Sequence, residues 1–247
     1  ANLPLGVFTV AIVTVLYPLI SRQAAADDIG GIKESFSLGV REIGYIMLPA
    51  TAGLVILSYP IIKVLFEHYN FTPEDTTKVA YILIFHSLGL VFFGLLMILN
   101  RIFYAFKNVR TPLKVASVSI VINFVLDWIL IRYMNVSGLA LSTALVAFCN
   151  VVILVIILKK KIGSFNGRRI IISYGKILAA TVVMGAVLYF LWGWLDNFAY
   201  QNLWTLILLL FSAIITGAGI YIVCTYLFKM EEIKFVAGLF KKFKKKA

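Results

Sequence analysis

The chain has 247 residues, of which 62% are hydrophobic and 14% charged, and its formal net charge is +12. Soluble domains are about half apolar and about a quarter charged, so this composition and a mean hydropathy of +0.97 exclude an ordinary soluble protein. The sequence therefore predicts an integral membrane protein, and its basic charge does not by itself indicate a nucleic-acid partner.

Seven apolar segments follow one another, each near or above the roughly 20 residues that a transmembrane helix needs. They cover residues 3–20, 43–66, 79–106, 112–134, 136–158, 171–195 and 203–228. We therefore predict an all-α integral membrane protein with seven transmembrane helices. Because the sequence is already apolar by Leu3 and has no initiator methionine, we interpret the chain as part of a longer polypeptide.

Two further segments have the pattern of amphipathic surface helices. Between the first two spans, Ile29, Ile32, Phe36 and Val40 recur at helical spacing among charged residues, which predicts a helix along the membrane surface. The tail at 230–247 combines an apolar stripe with many lysines. Such a tail is attracted to anionic membrane lipids by about 1 kcal/mol per basic residue.

The third span carries a charge close to its end. Arg101 lies inside the apolar pattern of that span. Its side chain could extend to the membrane interface, as long basic side chains do. Alternatively it could face an internal cavity, where the planar guanidinium suits bidentate contact with an anion such as a phosphate.

The fourth span contains the most unusual polar pair. Asn123 and Asp127 are four residues apart, so both lie on the same face of a helix. A carboxylate in this position costs about 2.5–3.5 kcal/mol on insertion scales, so it is normally paired, hydrated or functional. Arg132 lies five residues on and faces another direction. Asp127 therefore either reaches interfacial water near the helix end or belongs to a cation or proton site.

The fifth span begins after a short turn that would place its start beside the end of the fourth. Thr143 would then lie at the depth of Asp127, and the small residues Gly138 and Ala140 would let the two backbones approach. The Thr143 hydroxyl, the Leu139 carbonyl, Asn123 and Asp127 would form an all-oxygen cluster that suits a small hard cation. The alternative is that Thr143 bonds its own helix backbone.

The loops predict the orientation. One side of the predicted membrane carries 20 of the 23 lysine and arginine residues, including those of the tail. By the positive-inside rule, the C-terminus is cytoplasmic. Neither the two histidines nor the two cysteines have metal-ligand spacing, and no catalytic constellation is visible in this chain, so catalysis is not predicted.

Several motifs resemble the MurJ/MviN family, the lipid II flippases of the MOP exporter superfamily. The resemblance runs from Leu3 to about Lys161 and then fades to hydropathy alone. It rests on these segments: Leu3–Arg22, Leu48-Pro49-Ala50, Phe71–Asp75, Phe103–Pro112 and Gly138–Thr143.

The resemblance implies the C-terminal half of a fourteen-helix transporter that flips the undecaprenyl-pyrophosphate-linked precursor lipid II across the bacterial inner membrane by alternating access. It implies a C-terminal lobe at 1–162, two additional helices at 163–229 that form a groove for the lipid tail, and a cytoplasmic tail at 230–247. The N-terminal lobe of the same polypeptide would be its partner.

The resemblance also implies site residues. A sodium ion would be bound by Asn123, Asp127, the backbone of Leu139 and Thr143, and Arg101 would contact the substrate. The alternatives are another MOP exporter, for polysaccharide-lipid or cationic drugs, and a lipid-phosphate transferase whose catalytic lobe lies upstream.

Overall fold

The computed structural model describes residues 4–165, 167–199 and 202–233, with side chains described up to residue 196 in the second range. A π-helical turn, Leu5–Thr9, leads into the first α-helix. The α-helices are α1 (Val10–Ala25), α2 (Ile29–Ile56), α3 (Ser58–Phe66), α4 (Pro73–Leu88), α5 (Leu90–Ala105), α6 (Arg110–Met134), α7 (Val136–Ile162), α8 (Gly167–Ala199) and α9 (Leu203–Leu227). No strand occurs in these ranges, so the all-α prediction is confirmed.

Seven helical segments are long and apolar enough to cross a membrane, in agreement with the predicted number. The third span consists of α4 and α5, which meet at Gly89. Helix α4 begins at Pro73, directly after Thr72. The structure contains a capping box there, in which the Thr72 hydroxyl accepts from the Asp75 backbone and the Asp75 carboxylate accepts from the Thr72 backbone.

The predicted surface helix between the first two spans is wrong as a separate element. Residues 29–43 form the first half of the continuous helix α2, which ends at Ile56 before a break at Leu57. Ile32, Phe36 and Val40 are buried among protein side chains. The charged residues that suggested a polar face include Arg41 and Glu42, and both are buried as well.

Helix α2 is central to the packing. It contacts α1 and α5 on one side and α8 on another, and α7 packs against α4, α5 and α6. One hydrophobic core joins α1, α2, α5 and α7, and a second joins α2 and α3 to α8 and α9. The predicted division at residue 162 stays a prediction, and the tail beyond Ile233 lies outside the described residues.

Candidate functional site

The turn between α6 and α7 brings the two helices into direct backbone contact. Asn135 forms this turn with φ 51° and ψ −141°, a conformation that reverses the chain within a single residue. A Cβ atom at Gly138 would lie 2.5 Å from the carbonyl oxygen of Leu130, so only glycine permits this approach. The start of α7 is therefore held against the last turns of α6, as the small residues predicted.

This approach places Asp127 of α6 against Ser142 of α7. The fully buried Ser142 hydroxyl donates to the Asp127 carboxylate and lies 2.9 Å from the carbonyl oxygen of Leu139. Asp127 is half-buried. The carboxylate, hydroxyl and carbonyl oxygens are thus neighbours, at the level where the two helices touch.

Thr143 lies elsewhere than the sequence suggested. Its side chain is exposed, and its hydroxyl donates to the carbonyl oxygen of Leu139 in its own helix at 2.9 Å. The hydroxyl that meets Asp127 comes instead from Ser142, one residue earlier. Both hydroxyl oxygens lie 2.9 Å from the Leu139 carbonyl oxygen, so Thr143 still borders the oxygen cluster.

Asn123 lies one turn before Asp127 and is half-buried, with no side-chain hydrogen bond to any residue in the described ranges. Arg132 stacks on Trp128, with the guanidinium carbon 4.0 Å from the ring centroid. Asp127 forms no ion pair with a described residue. Within the described ranges, the Asp127 side chain is thus held by a hydroxyl donor and not by a basic side chain.

The donor set fits a small hard cation in its chemistry. A carboxylate, an amide, a backbone carbonyl and one or two hydroxyls supply oxygen ligands only, with a single formal negative charge. Clusters of three or more His, Cys, Asp or Glu, which would suit a transition metal, do not occur in the part of the chain that the structure describes. The cluster is therefore a candidate site for an alkali cation.

Arg101 lies in the last two turns of α5 with an exposed side chain. Its guanidinium carbon is 5.2 Å from the ring centroid of Tyr17 in α1. A guanidinium held over an aromatic ring keeps its donors free at the edge, so Arg101 can offer them to an anion. Arg101 lies on α5, whereas the Asp127 cluster is formed by α6 and α7.

A second polar cluster was missed by the sequence reasoning. Arg41 of α2 donates to Glu232 at 2.7 Å, and the Ser173 hydroxyl of α8 donates to the same carboxylate oxygen at 2.7 Å. Glu231 pairs with Arg169, and this guanidinium holds the pKa of the Glu231 carboxyl below its ordinary value. The available signal was the charged pair at residues 41 and 42, directly before the second predicted apolar segment.

Sequence and structure comparisons match this arrangement to known proteins. The family model described as "Lipid II flippase MurJ" matches residues 1–211. The chain is 34% identical over 233 residues to the probable lipid II flippase MurJ of Thermotoga maritima, covering 94% of this chain and 45% of that protein. It is 31% identical over 229 residues to the probable lipid II flippase MurJ of Rickettsia prowazekii, covering 92% of this chain and 45% of that one.

A solved structure gives the same result. "Lipid II flippase MurJ, inward closed conformation" superposes with a TM-score of 0.70 at 29% identity, covering 92% of this chain and 44% of the solved chain. The present chain thus spans less than half the length of these relatives.

Proposed function

The chain belongs to the lipid II flippase MurJ family, and from that premise we propose that it acts as the C-terminal half of a lipid II flippase. Such a protein moves the polyprenyl-pyrophosphate-linked peptidoglycan precursor from the inner to the outer leaflet of the bacterial inner membrane. The observation that carries the proposal is the family match, which extends through six spans and into the seventh. The protein would be a transporter and not an enzyme.

The other half of the transporter would be the N-terminal lobe of the same polypeptide. The relatives are more than twice as long as the region that this chain matches. A substrate cavity between two lobes requires both, so this half alone would supply one wall. Alternating access would then open that cavity first to one leaflet and then to the other.

The orientation we propose has the C-terminus in the cytoplasm. Basic residues collect at the ends of α1, α5, α7 and the start of α8, which lie on one side of the seven spans. This distribution supports the positive-inside assignment. The lysine-rich tail would then contact the anionic lipids of the cytoplasmic leaflet.

Arg101 is our candidate for contact with the substrate pyrophosphate. Its side chain is exposed and supported by Tyr17, and its fork of donors suits two phosphate oxygens at once. A lysine at this position would keep the charge but lose the bidentate geometry. Arg101 is therefore a better anion ligand than a lysine of equal charge.

We propose a sodium ion as the ligand of the cluster of Asn123, Asp127, Leu139 and Thr143, with Ser142 as a further oxygen donor. The oxygen-only donor set supports this assignment. A bound cation could bias the inward–outward equilibrium only by binding one state better than the other. Residues from both α6 and α7 contribute, so relative movement of these helices would alter the site.

The flippase proposal is tested with the full-length protein in vesicles that contain fluorescent lipid II. Quenching from outside measures how much lipid changes leaflet. We expect Arg101→Gln to lose most of the transport and Arg101→Lys to recover only part of it. Arg132→Gln is the matched control because Arg132 stacks on Trp128 away from Tyr17. Absence of lipid II movement by the intact protein would refute the proposed function.

The cation proposal is tested by melting the intact protein in sodium and in potassium. A ligand at a hundred times its Kd adds about 2.7 kcal/mol to the stability of the folded state. We expect a sodium-selective rise in Tm that Asp127→Asn abolishes. Equal melting curves in both salts would return Asp127 to a structural role without touching the flippase assignment.

A further inference from the structure

The contact between α2 and the segment after α9 contains more negative than positive buried charge. Arg41 is 6% exposed, Glu232 3% and Glu42 0%. One buried guanidinium therefore faces two buried carboxyl groups. The exposed Arg169 and Glu231 pair with each other at the edge of the cluster.

Glu232 is the buried carboxylate that forms the ion pair with Arg41. The Arg41 guanidinium donates to Glu232 at 2.7 Å and reaches Glu231 only at 3.5 Å, and the buried Ser173 hydroxyl completes the coordination of Glu232. Glu42 receives no such donors: both of its oxygens are buried without a hydrogen-bond partner among the described residues, as is the Nε of Arg41.

Among the described residues, no second basic side chain acts on Glu42. Its strongest charged neighbours are Glu232 and Arg41. Two phenols from α9 and α2 also face this region. The Tyr221 hydroxyl of α9 donates a hydrogen bond to the Tyr45 carbonyl. The Tyr45 hydroxyl of α2 forms a hydrogen bond with the Thr225 hydroxyl. From α8 the Tyr174 phenol bonds the Val40 carbonyl.

An isolated buried carboxylate costs several kcal/mol, and buried acids commonly avoid this cost by holding a proton. With Glu232 already paired to Arg41, the cluster is electrically balanced when Glu42 is neutral. We propose that Glu42 is a proton-binding site that controls whether the segment Met230–Ile233 stays attached to α2.

The physical mechanism is competition for one guanidinium. When Glu42 releases its proton, its carboxylate lies one residue from Arg41 and competes with Glu232 for the same donors. Glu232 then loses its buried partner, and two negative charges repel one another in a site of low polarity. The segment that carries Glu232 is short and follows the end of α9, so it can leave for solvent more easily than α2 can rearrange.

Water reaches the groups next to Glu42, although Glu42 itself is fully buried. A cleft of about 300 Å³ opens beside the cluster and is lined by Arg168, Arg169, Lys176 and Lys229 together with Arg41 and Glu232. Lys176 also donates to the carbonyl of Phe228 at 3.0 Å, which holds the end of α9 at this cleft. Under the proposed orientation the cleft faces the cytoplasm, so the site would respond to cytoplasmic pH. The proposal itself does not depend on the transported substrate.

Attachment of the segment can be measured by cysteine labelling of the full-length protein in lipid nanodiscs, after replacement of its native cysteines. Met230 is 4% exposed when the segment is attached, whereas Lys229 is exposed. The labelling rate of Met230→Cys divided by that of Lys229→Cys therefore reports detachment and corrects for the pH dependence of thiol reactivity.

We expect this ratio to rise about fivefold or more between about pH 6 and pH 10. A fivefold change is about the lower end of the coupling usually found between two sites in a protein. Glu42→Gln mimics the protonated form, so its ratio should stay low at every pH. Glu232→Gln should be high throughout, because the attachment is lost. Glu231→Gln, next to it and exposed, should follow the wild type. A flat wild-type ratio, or the same rise in Glu42→Gln, overturns the proposal.

Infrared spectroscopy provides a second test that does not need a folded Glu42 variant. The wild type at neutral pH should show the carbonyl stretch of a protonated buried carboxyl group that disappears on alkaline titration. Glu232→Gln should weaken that band, because Glu42 can then ionise and pair with Arg41. A spectrum that Glu232→Gln leaves unchanged would contradict competition for one guanidinium.

Discussion

The Ser142 hydroxyl is expected to stabilise the contact between α6 and α7, whereas the neighbouring Thr143 hydroxyl is not. Ser142 is fully buried and donates to Asp127. Thr143 is exposed and bonds only its own helix. Ser142→Ala removes a donor from a half-buried carboxylate, while Thr143→Val removes a hydroxyl from a surface that water or lipid already contacts.

The size of the effect follows from two bounds. Hydrogen bonds to charged groups contribute about 1.5–3 kcal/mol in proteins. Side-chain hydrogen bonds between transmembrane helices average about 0.6 kcal/mol, with a maximum of about 1.7. Because the acceptor is charged but only half-buried, we expect Ser142→Ala to cost ~1.5 kcal/mol, roughly a tenfold change in the unfolding equilibrium. Thr143→Val should stay within about 0.5 kcal/mol.

Unfolding of the full-length protein in mixed micelles by a denaturing detergent measures both variants. A double-mutant cycle with Asp127→Ala isolates the pair, and the coupling between Ser142 and Asp127 should be about 1 kcal/mol. Equal costs for Ser142→Ala and Thr143→Val, or no coupling between Ser142 and Asp127, would refute the reasoning.

Three further predictions concern the turn between α6 and α7 and the loop before α4. Gly138→Ala should destabilise by about 1–3 kcal/mol, because its Cβ would lie 2.5 Å from a backbone carbonyl of α6, while Gly219→Ala, with nothing within 4 Å, is the neutral control in the same unfolding assay. Asn135→Gly should stabilise by about 0.5–1 kcal/mol, since φ 51° and ψ −141° suit glycine better than any other residue; a lower Tm would contradict this. Partial burial alone would raise the pKa of the Glu67 carboxyl, but hydrogen bonds from Thr76 and a lysine outweigh burial and hold that pKa below its usual value. The stability that this carboxylate contributes is present above its unfolded pKa of about 4.3 and is lost as pH falls through the lower folded value. Thr76→Val should therefore melt lower than wild type at neutral pH, and the difference should shrink below about pH 4; a difference independent of pH would show that the Glu67 charge is not involved.

The Asp127 cluster shows how far sequence reasoning reaches within a site. The short turn and Gly138 predicted that α7 begins against α6, and the structure confirms this approach. Residues 142 and 143 differ by about 100° around a helix, so both could have faced Asp127. In the structure, Ser142 shares the buried face of α7 with Ala144 and Ala147, and the chain sequence does not specify this rotation on its own.

The misassigned segment at 29–43 has a related cause. A helix with polar residues on one face has the same pattern whether that face meets water or a buried polar partner. Here the partner is Glu232, which lies 191 residues from Arg41 in the chain. A local sequence pattern carries no information about a partner so far away in the chain, so the periodicity indicated a surface helix.

The amino-acid sequence by itself determined the number of spans, the capped start of α4 and the polar character of residues 123 and 127. These properties depend on hydropathy and on hydrogen bonds between residues close in the chain. Inside a membrane each backbone N–H and C=O group must find its hydrogen-bond partner within the same helix, so an apolar segment of sufficient length forms a helix there. Only the tertiary structure decided that Ser142 meets Asp127 and that Arg41 holds Glu232. Both contacts depend on how helices rotate and pack against one another, and that is set by the shapes of residues distant in sequence.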